Sequence, residues 1–229
     1  MLIDTLEHDG QFNAYVAEPA GTPRGAIVVI QEIFGVNPGI RNKCDKLAAE
    51  GYLAIAPDLF WRIEPGVELD ADVPEQFQQA LALMGKFDQN LGVRDLEATI
   101  RAARARLGTG GKVGVVGYCL GGRLAFLVAA RTDADASVGY YAVGVPGLLG
   151  EKHAIAKPLL LHIAGEDGFV PKDAQAAMHE GLDDHSRVTL YDYPGEDHGF
   201  AADGGKRRSE AAAQLADERT MAFFAEHLG

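Results

Sequence analysis

The chain has 229 residues, 47% hydrophobic and 24% charged, and its 33 acids against 21 lysines and arginines give a net charge of -12. That length suits one α/β domain, expected here over residues 1–229, with apolar residues enough for a full core. The acidic balance argues against nucleic acid and against an anionic membrane as partners, because both select clustered cations. No apolar run approaches a membrane span, and Met1-Leu2-Ile3-Asp4-Thr5-Leu6-Glu7 lacks the basic start and apolar stretch of a signal peptide. Two cysteines, Cys44 and Cys119, are too few for a disulfide framework, so a cytoplasmic location is expected.

Apolar runs then alternate with helical patterns. Leu2 to Leu6 and Phe12 to Ala17, separated by Asp9-Gly10, read as an opening hairpin. Ala26 to Ile30 is a buried strand by composition, followed by a glycine-bearing loop, a helix over Ile40 to Glu50 and a strand over Tyr52 to Ala56. A long excursion from Leu59 to about Phe87 carries one helix, from Pro74 to Lys86, and a longer helix spans Val93 to Leu107. Beyond it come a strand at Val113 to Gly117 and a helix at Leu120 to Ala130. Strands at Ala136 to Tyr141, Leu159 to Ala164 and Val188 to Tyr191 follow, with helices at Pro171 to Glu180 and roughly Gly205 to Leu228. This order predicts an α/β fold with a mostly parallel, doubly wound sheet, an N-terminal hairpin and helices on both faces. Sites in such sheets form beyond the carboxyl ends of the strands.

The most informative segment is Val113-Gly114-Val115-Val116-Gly117-Tyr118-Cys119-Leu120-Gly121-Gly122, a valine-rich run ending in Gly-x-Cys-x-Gly and passing straight into a helix. That is the layout of a nucleophile elbow with cysteine in the nucleophile's place. Small residues are needed two before and two after the nucleophile because strand and helix approach closely there, and Gly117 and Gly121 meet that need. The helix N-terminus would favour a thiolate at Cys119. By itself the motif leaves open a buried structural cysteine in a glycine-rich turn. Cys44, in a polar helical stretch, reads as an incidental thiol.

Partners decide between those readings. Of seven histidines, only His198 combines a loop after a strand with flanking glycine, in Gly195-Glu196-Asp197-His198-Gly199-Phe200; His162 sits inside an apolar strand and reads as a satisfied core residue. Asp167 follows the strand at Leu159 to Ala164, with Glu166 its competitor and helix capping its bland alternative. Cys119, Asp167 and His198 follow the nucleophile, acid, histidine order of α/β-hydrolases. In that triad His198 takes and returns the thiol proton while Asp167 orients its ring. Glu32, after the strand at Ala26 to Ile30, is either a solvated loop acid or the thiol's resting partner. The fold's usual geometry then assigns an oxyanion hole to the backbone N–H groups of Ile33 and Leu120.

These residues resemble the dienelactone hydrolases (carboxymethylenebutenolidases). Gln31-Glu32-Ile33-Phe34-Gly35-Val36-Asn37, Ala56-Pro57-Asp58-Leu59, Gly117-Tyr118-Cys119-Leu120-Gly121-Gly122, Val138-Gly139-Tyr140-Tyr141, the Asp167 loop, Asp197-His198-Gly199-Phe200 and Glu218-Arg219-Thr220 all match, in order. The resemblance implies a Cys-His-Asp hydrolase that cleaves an enol lactone through a thioester, with Glu32 as the thiol's partner at rest and with neither metal nor organic cofactor. It also implies two arginines that bind the substrate carboxylate, and by spacing those places hold Phe77 and Ala202 here. Arg62, Arg207 and Arg208 are the nearest cations in sequence. Guanidinium forks are hard to replace, so a less charged small lactone or ester is expected, with Phe34, Phe77, Tyr140 and Phe200 as apolar walls. The competing expectation is a non-catalytic small-molecule binder or redox-sensing thiol on the same scaffold. A monomer or small homo-oligomer is expected.

Overall fold

The computed structural model describes all residues, 1–229, and its α-carbon contacts divide them into two compact units, Met1–Gly114 and Val115–Gly229. In the first unit β1 (Leu2–Asp4) pairs antiparallel with β2 (Gln11–Ala17), and β2 antiparallel with β4 (Leu53–Pro57), which in turn runs parallel to β3 (Ala26–Ile30). Strand β2 alternates exposed and buried positions at its start, as a half-solvated strand should, whereas β3 and β4 are buried throughout. Burying Ile27, Val28, Val29 and Ile30 removes them completely from solvent, at about 1.5–3 kcal/mol for each side chain.

Helix α1 (Pro38–Ala49) starts two residues earlier than its periodicity suggests, because the Asn37 side chain accepts the Ile40 N–H and Pro38 occupies the first turn. It stops before Gly51, whose φ is 93°. Helix α2 (Pro74–Met84) lies in the excursion, and α3 begins at Gln89 rather than Val93 because Asp88 caps it, accepting from Asn90 and Leu91. Helix α3 (Gln89–Leu107) packs on β3 and β4. Cys44 is fully buried on α1, and burial pushes its thiol well above the usual range.

In the second unit the strand order is β5 (Val113–Tyr118, its first two residues belonging to the first unit), β6 (Ala136–Tyr140), β7 (Leu159–Ala164) and β8 (Val188–Tyr193), with β6, β7 and β8 parallel. Helix α4 (Leu120–Arg131) packs on β6, α5 (Lys172–Leu182) on β8, and α6 (Glu210–Leu228) on β6 and β7. A 3-10 segment at Val145–Ala154, which no apolar period announces, joins β6 to the loop before β7. Helix α6 starts five residues later than the sequence suggests, since Gly204 and Gly205 both take positive φ. The α/β architecture is the one expected, and no helix is long and apolar enough to cross a membrane.

Candidate active site

The elbow is built by exclusion of side chains. An added Cβ at Gly117 would lie 1.9 Å from the Gly121 carbonyl oxygen, and one at Gly122 would lie 2.6 Å from the Tyr140 oxygen. Strand β5 can therefore turn into α4 only over glycine. Cys119, at the turn, has φ 55° and ψ -112°, a conformation that costs a non-glycine residue roughly 1–3 kcal/mol. Its own N–H donates to the Tyr140 carbonyl at 3.1 Å, and its carbonyl accepts the Arg123 N–H at 3.1 Å. Its side chain caps nothing, and Cys119 is half-buried. Leu120 opens α4, so its N–H belongs to the first turn, where helical partners are lacking.

Two loops deliver the acid and the base. Nδ1 of His198 lies 2.9 Å from Oδ2 of Asp167, with only 5% and 1% of the two side chains exposed. The Phe169 N–H donates to the other Asp167 oxygen at 2.8 Å. The far side of the imidazole hydrogen-bonds Cys119. Burial on its own would depress the His198 pKa, but the bonds to Asp167 and Cys119 and their charges outweigh it and raise it to about 10. The charged form of the ring is thus favoured, beside the sulfur it would protonate or deprotonate.

Glu166 is not a competitor in space. It points to solvent and pairs with Lys172 at 2.9 Å, while its neighbour Asp167 turns inward. Asp197, which the sequence offered only as His198's neighbour, ties the two loops together: its Oδ1 accepts the His198 N–H at 2.6 Å and the Gly168 N–H at 3.2 Å. Those backbone donors hold its carboxyl below the usual range. The imidazole also lies between two aromatic rings, Tyr141 at 5.0 Å and Phe169 at 4.8 Å, both edge-on. Neither ring was singled out from the sequence. Phe169 is 51% exposed, and its place beside Asp167 in the chain was the available signal.

The remaining candidates are defined by their own surroundings. Tyr140 and Phe200 are wholly buried, so neither offers a substrate any surface: strand alternation turns the Tyr140 ring into the core, and the turn after His198 packs Phe200 between Tyr141 and Tyr193. In the first unit Glu32 is half-buried and Ile33 buried in the turn after β3; Phe34 is buried too, 5.9 Å ring to ring from Phe77. Arg62 is held by the buried carboxylate of Asp95, which also accepts from Trp61 at 2.9 Å, and so serves the fold. Arg208 pairs with Asp203 at 3.1 Å and Glu210 at 2.7 Å, whereas the Arg207 stem lies over Gly199.

Residues 12–228 match the model of the dienelactone hydrolase family. A protein of Azospirillum brasilense, provisionally named a carboxymethylenebutenolidase, is 49% identical over 96% of both chains. A carboxymethylenebutenolidase of Pseudomonas putida is 42% identical, covering 97% of this chain and 95% of its own. Among solved structures, a provisionally named dienelactone hydrolase from Klebsiella pneumoniae superposes with a TM-score of 0.82 at 31% identity, covering 97% of each chain. A dienelactone hydrolase-like promiscuous phosphotriesterase from metagenomic libraries shares the fold, at TM-score 0.79 and 20% identity.

Proposed function

We propose a reaction from one premise, that this chain belongs to the dienelactone hydrolase family: it is a hydrolase that opens a small lactone or ester with its own cysteine. The observation that carries this reading is the contiguous set Cys119, His198 and Asp167, in which a strained thiol meets an imidazole held at 2.9 Å by a buried carboxylate. The Cys119 proton passes to Glu32, the thiolate so formed attacks the acyl carbon, and the developing oxyanion takes hydrogen bonds from backbone N–H groups, for which Leu120 and Ile33 are the candidates. Collapse expels the alcohol or enol oxygen, which receives the proton from His198, and leaves a thioester on Cys119. His198, now neutral, takes a proton from water; the hydroxide equivalent attacks the thioester, and the carboxylic acid product leaves while the sulfur regains its starting state.

Throughout, Asp167 keeps the imidazole in one orientation and stabilises its charged form. Glu32 enters the proposal as the thiol's resting partner, a role carried over from the family motif. Residues 1–229 are taken as one functional domain, because the family match runs through both compact units. The substrate class follows from the cations. Phe77 and Ala202 stand where the family pattern places arginine, and Arg62 is committed to Asp95, so a lactone or ester without a second carboxylate is favoured.

The test is Cys119→Ala against a panel of unsaturated lactones and chromogenic esters, with and without a carboxylate. Turnover and the acyl-enzyme burst should vanish while the fold persists. Retained turnover in that variant would overturn the reading, as would a wild-type chain that turns over none of the panel.

A further inference from the structure

His162 is fully buried in β7, and no step of the reaction uses it. Both of its ring nitrogens are nevertheless engaged: Nδ1 lies 2.8 Å from the Tyr193 hydroxyl and Nε2 lies 2.9 Å from Oγ1 of Thr220. That Oγ1 lies 2.7 Å from the Tyr140 hydroxyl, which donates to Asp217 at 2.9 Å. At the other end an Arg219 guanidinium nitrogen donates to the Tyr193 oxygen at 3.2 Å. Six residues from β6, β7, β8 and α6 thus form one continuous chain.

Proton counting gives this chain a single sense. A hydroxyl carries one proton and donates once, and a carboxylate only accepts. The Tyr140 proton is given to Asp217, so in the next contact Thr220 must be the donor. With the Thr220 proton committed, its contact with His162 requires hydrogen on Nε2. Desolvation, with the Arg219 charge behind it, lowers the His162 pKa to about 3, so the ring is neutral and Nδ1 is bare. Tyr193 therefore donates to Nδ1, and its oxygen accepts from Arg219, which can only donate. Each bond dictates the next, from a cation to an anion that both lie on α6, and chains of this kind strengthen their members mutually.

The chain ends where the elbow begins. Tyr140 supplies the carbonyl that accepts the Cys119 N–H, and its ring lies 4.8 Å from that of Tyr118, the residue before the nucleophile. The His162 carbonyl accepts the Tyr141 N–H at 2.8 Å, fixing the same strand end from behind. A residue held at φ 55° keeps that conformation only where its surroundings over-determine it. We propose that His162, protonated on Nε2, and Thr220 are positioning residues for the nucleophile: they immobilise Tyr140, and the Tyr140 carbonyl holds the Cys119 main chain in its strained turn.

This inference rests on Cys119 as nucleophile, and its test reads the thiol directly. Thr220→Val preserves shape while removing both the donor to Tyr140 and the acceptor for His162, whereas Thr220→Ser keeps the hydroxyl. For each variant one measures the second-order rate of Cys119 alkylation by iodoacetamide, kcat and KM on a chromogenic ester, and Tm. The valine variant should lose about tenfold or more in both alkylation rate and kcat with KM within twofold, as for other sub-ångström to ångström misplacements of reacting groups. The serine variant should recover both. A lower Tm with alkylation and kcat within twofold of wild type would reduce the network to ordinary core packing and overturn the proposal. Should Thr220→Val fail to fold, Tyr140→Phe removes one hydroxyl and keeps the ring, with the same two outcomes deciding. Alkylation needs no turnover, so a wild-type chain inactive on esters would defeat the hydrolase reading and leave this measurement valid.

Discussion

Substituting Gly117 by alanine tests the elbow most severely. The new methyl would sit 1.9 Å from the Gly121 oxygen, 2.2 Å from the Gly121 carbon and 2.9 Å from the Gly122 nitrogen, all of them backbone atoms with no rotamer to yield. Real Cβ contacts do not close below 3.0 Å, so strand and helix must separate by at least the 1.1 Å between 1.9 Å and 3.0 Å. Overpacking of this kind costs about 3 kcal/mol or more, which for a chain of this length lowers Tm by roughly 6–12 °C. The same displacement moves Cys119 relative to His198, and misplacement of about 1 Å is worth on the order of 10² in rate. Scanning calorimetry and kcat per folded molecule measure the two effects. Gly147→Ala is the control, because nothing lies within 4 Å of its added methyl and its effect should stay within about 0.5 kcal/mol. A Gly117→Ala protein with wild-type Tm and kcat would refute the claim that glycine is required by contact at the elbow.

Asp167→Asn should lower kcat by on the order of 10²–10³ with little change in KM, less than the loss of about 10⁴ in serine triads because a thiol needs less assistance; a loss under tenfold would remove Asp167 from the triad. The folded pKa of His198, about 10, lies above the ordinary 6.5, so its contribution to stability is complete below pH 6.5 and is lost as pH rises through 10. Cys119→Ala deletes part of what raises that value, so the upper edge of the window should move to lower pH in denaturant titrations across pH 6–10; superimposable profiles would contradict the Cys119–His198 bond. Arg62→Ala leaves the 2%-exposed Asp95 carboxylate with only Trp61 as donor and should cost about 3 kcal/mol in urea unfolding with kcat/KM within twofold. Unchanged stability together with weakened binding of anionic esters would instead make Arg62 a substrate anchor. Iodoacetamide should label Cys119 and spare Cys44, as peptide mapping would report, since burial denies Cys44 both access and ionisation.

What could be read without coordinates was everything governed by neighbours in the chain. The apolar runs of β3, β4 and β5 mark strands buried on both faces, Gly117 and Gly121 flank Cys119 at the spacing an elbow needs, and the order of Cys119, Asp167 and His198 follows the order of strand ends. Even there, caps shifted the boundaries: Asp88 and Asn37 lengthened their helices at the start, and paired glycines shortened α6. The three-dimensional fold alone decided which way side chains from separate strands and loops face. It chose Asp167 over Glu166 for His198, turned Tyr140 and Phe200 inward, and gave Arg62 to an aspartate 33 residues away. It also joined His162 to Thr220 across 58 residues. Those choices depend on how strands register, helices rotate and loops meet distant partners, to which local sequence contributes almost nothing; in a strand a one-residue slip reverses every side chain along it.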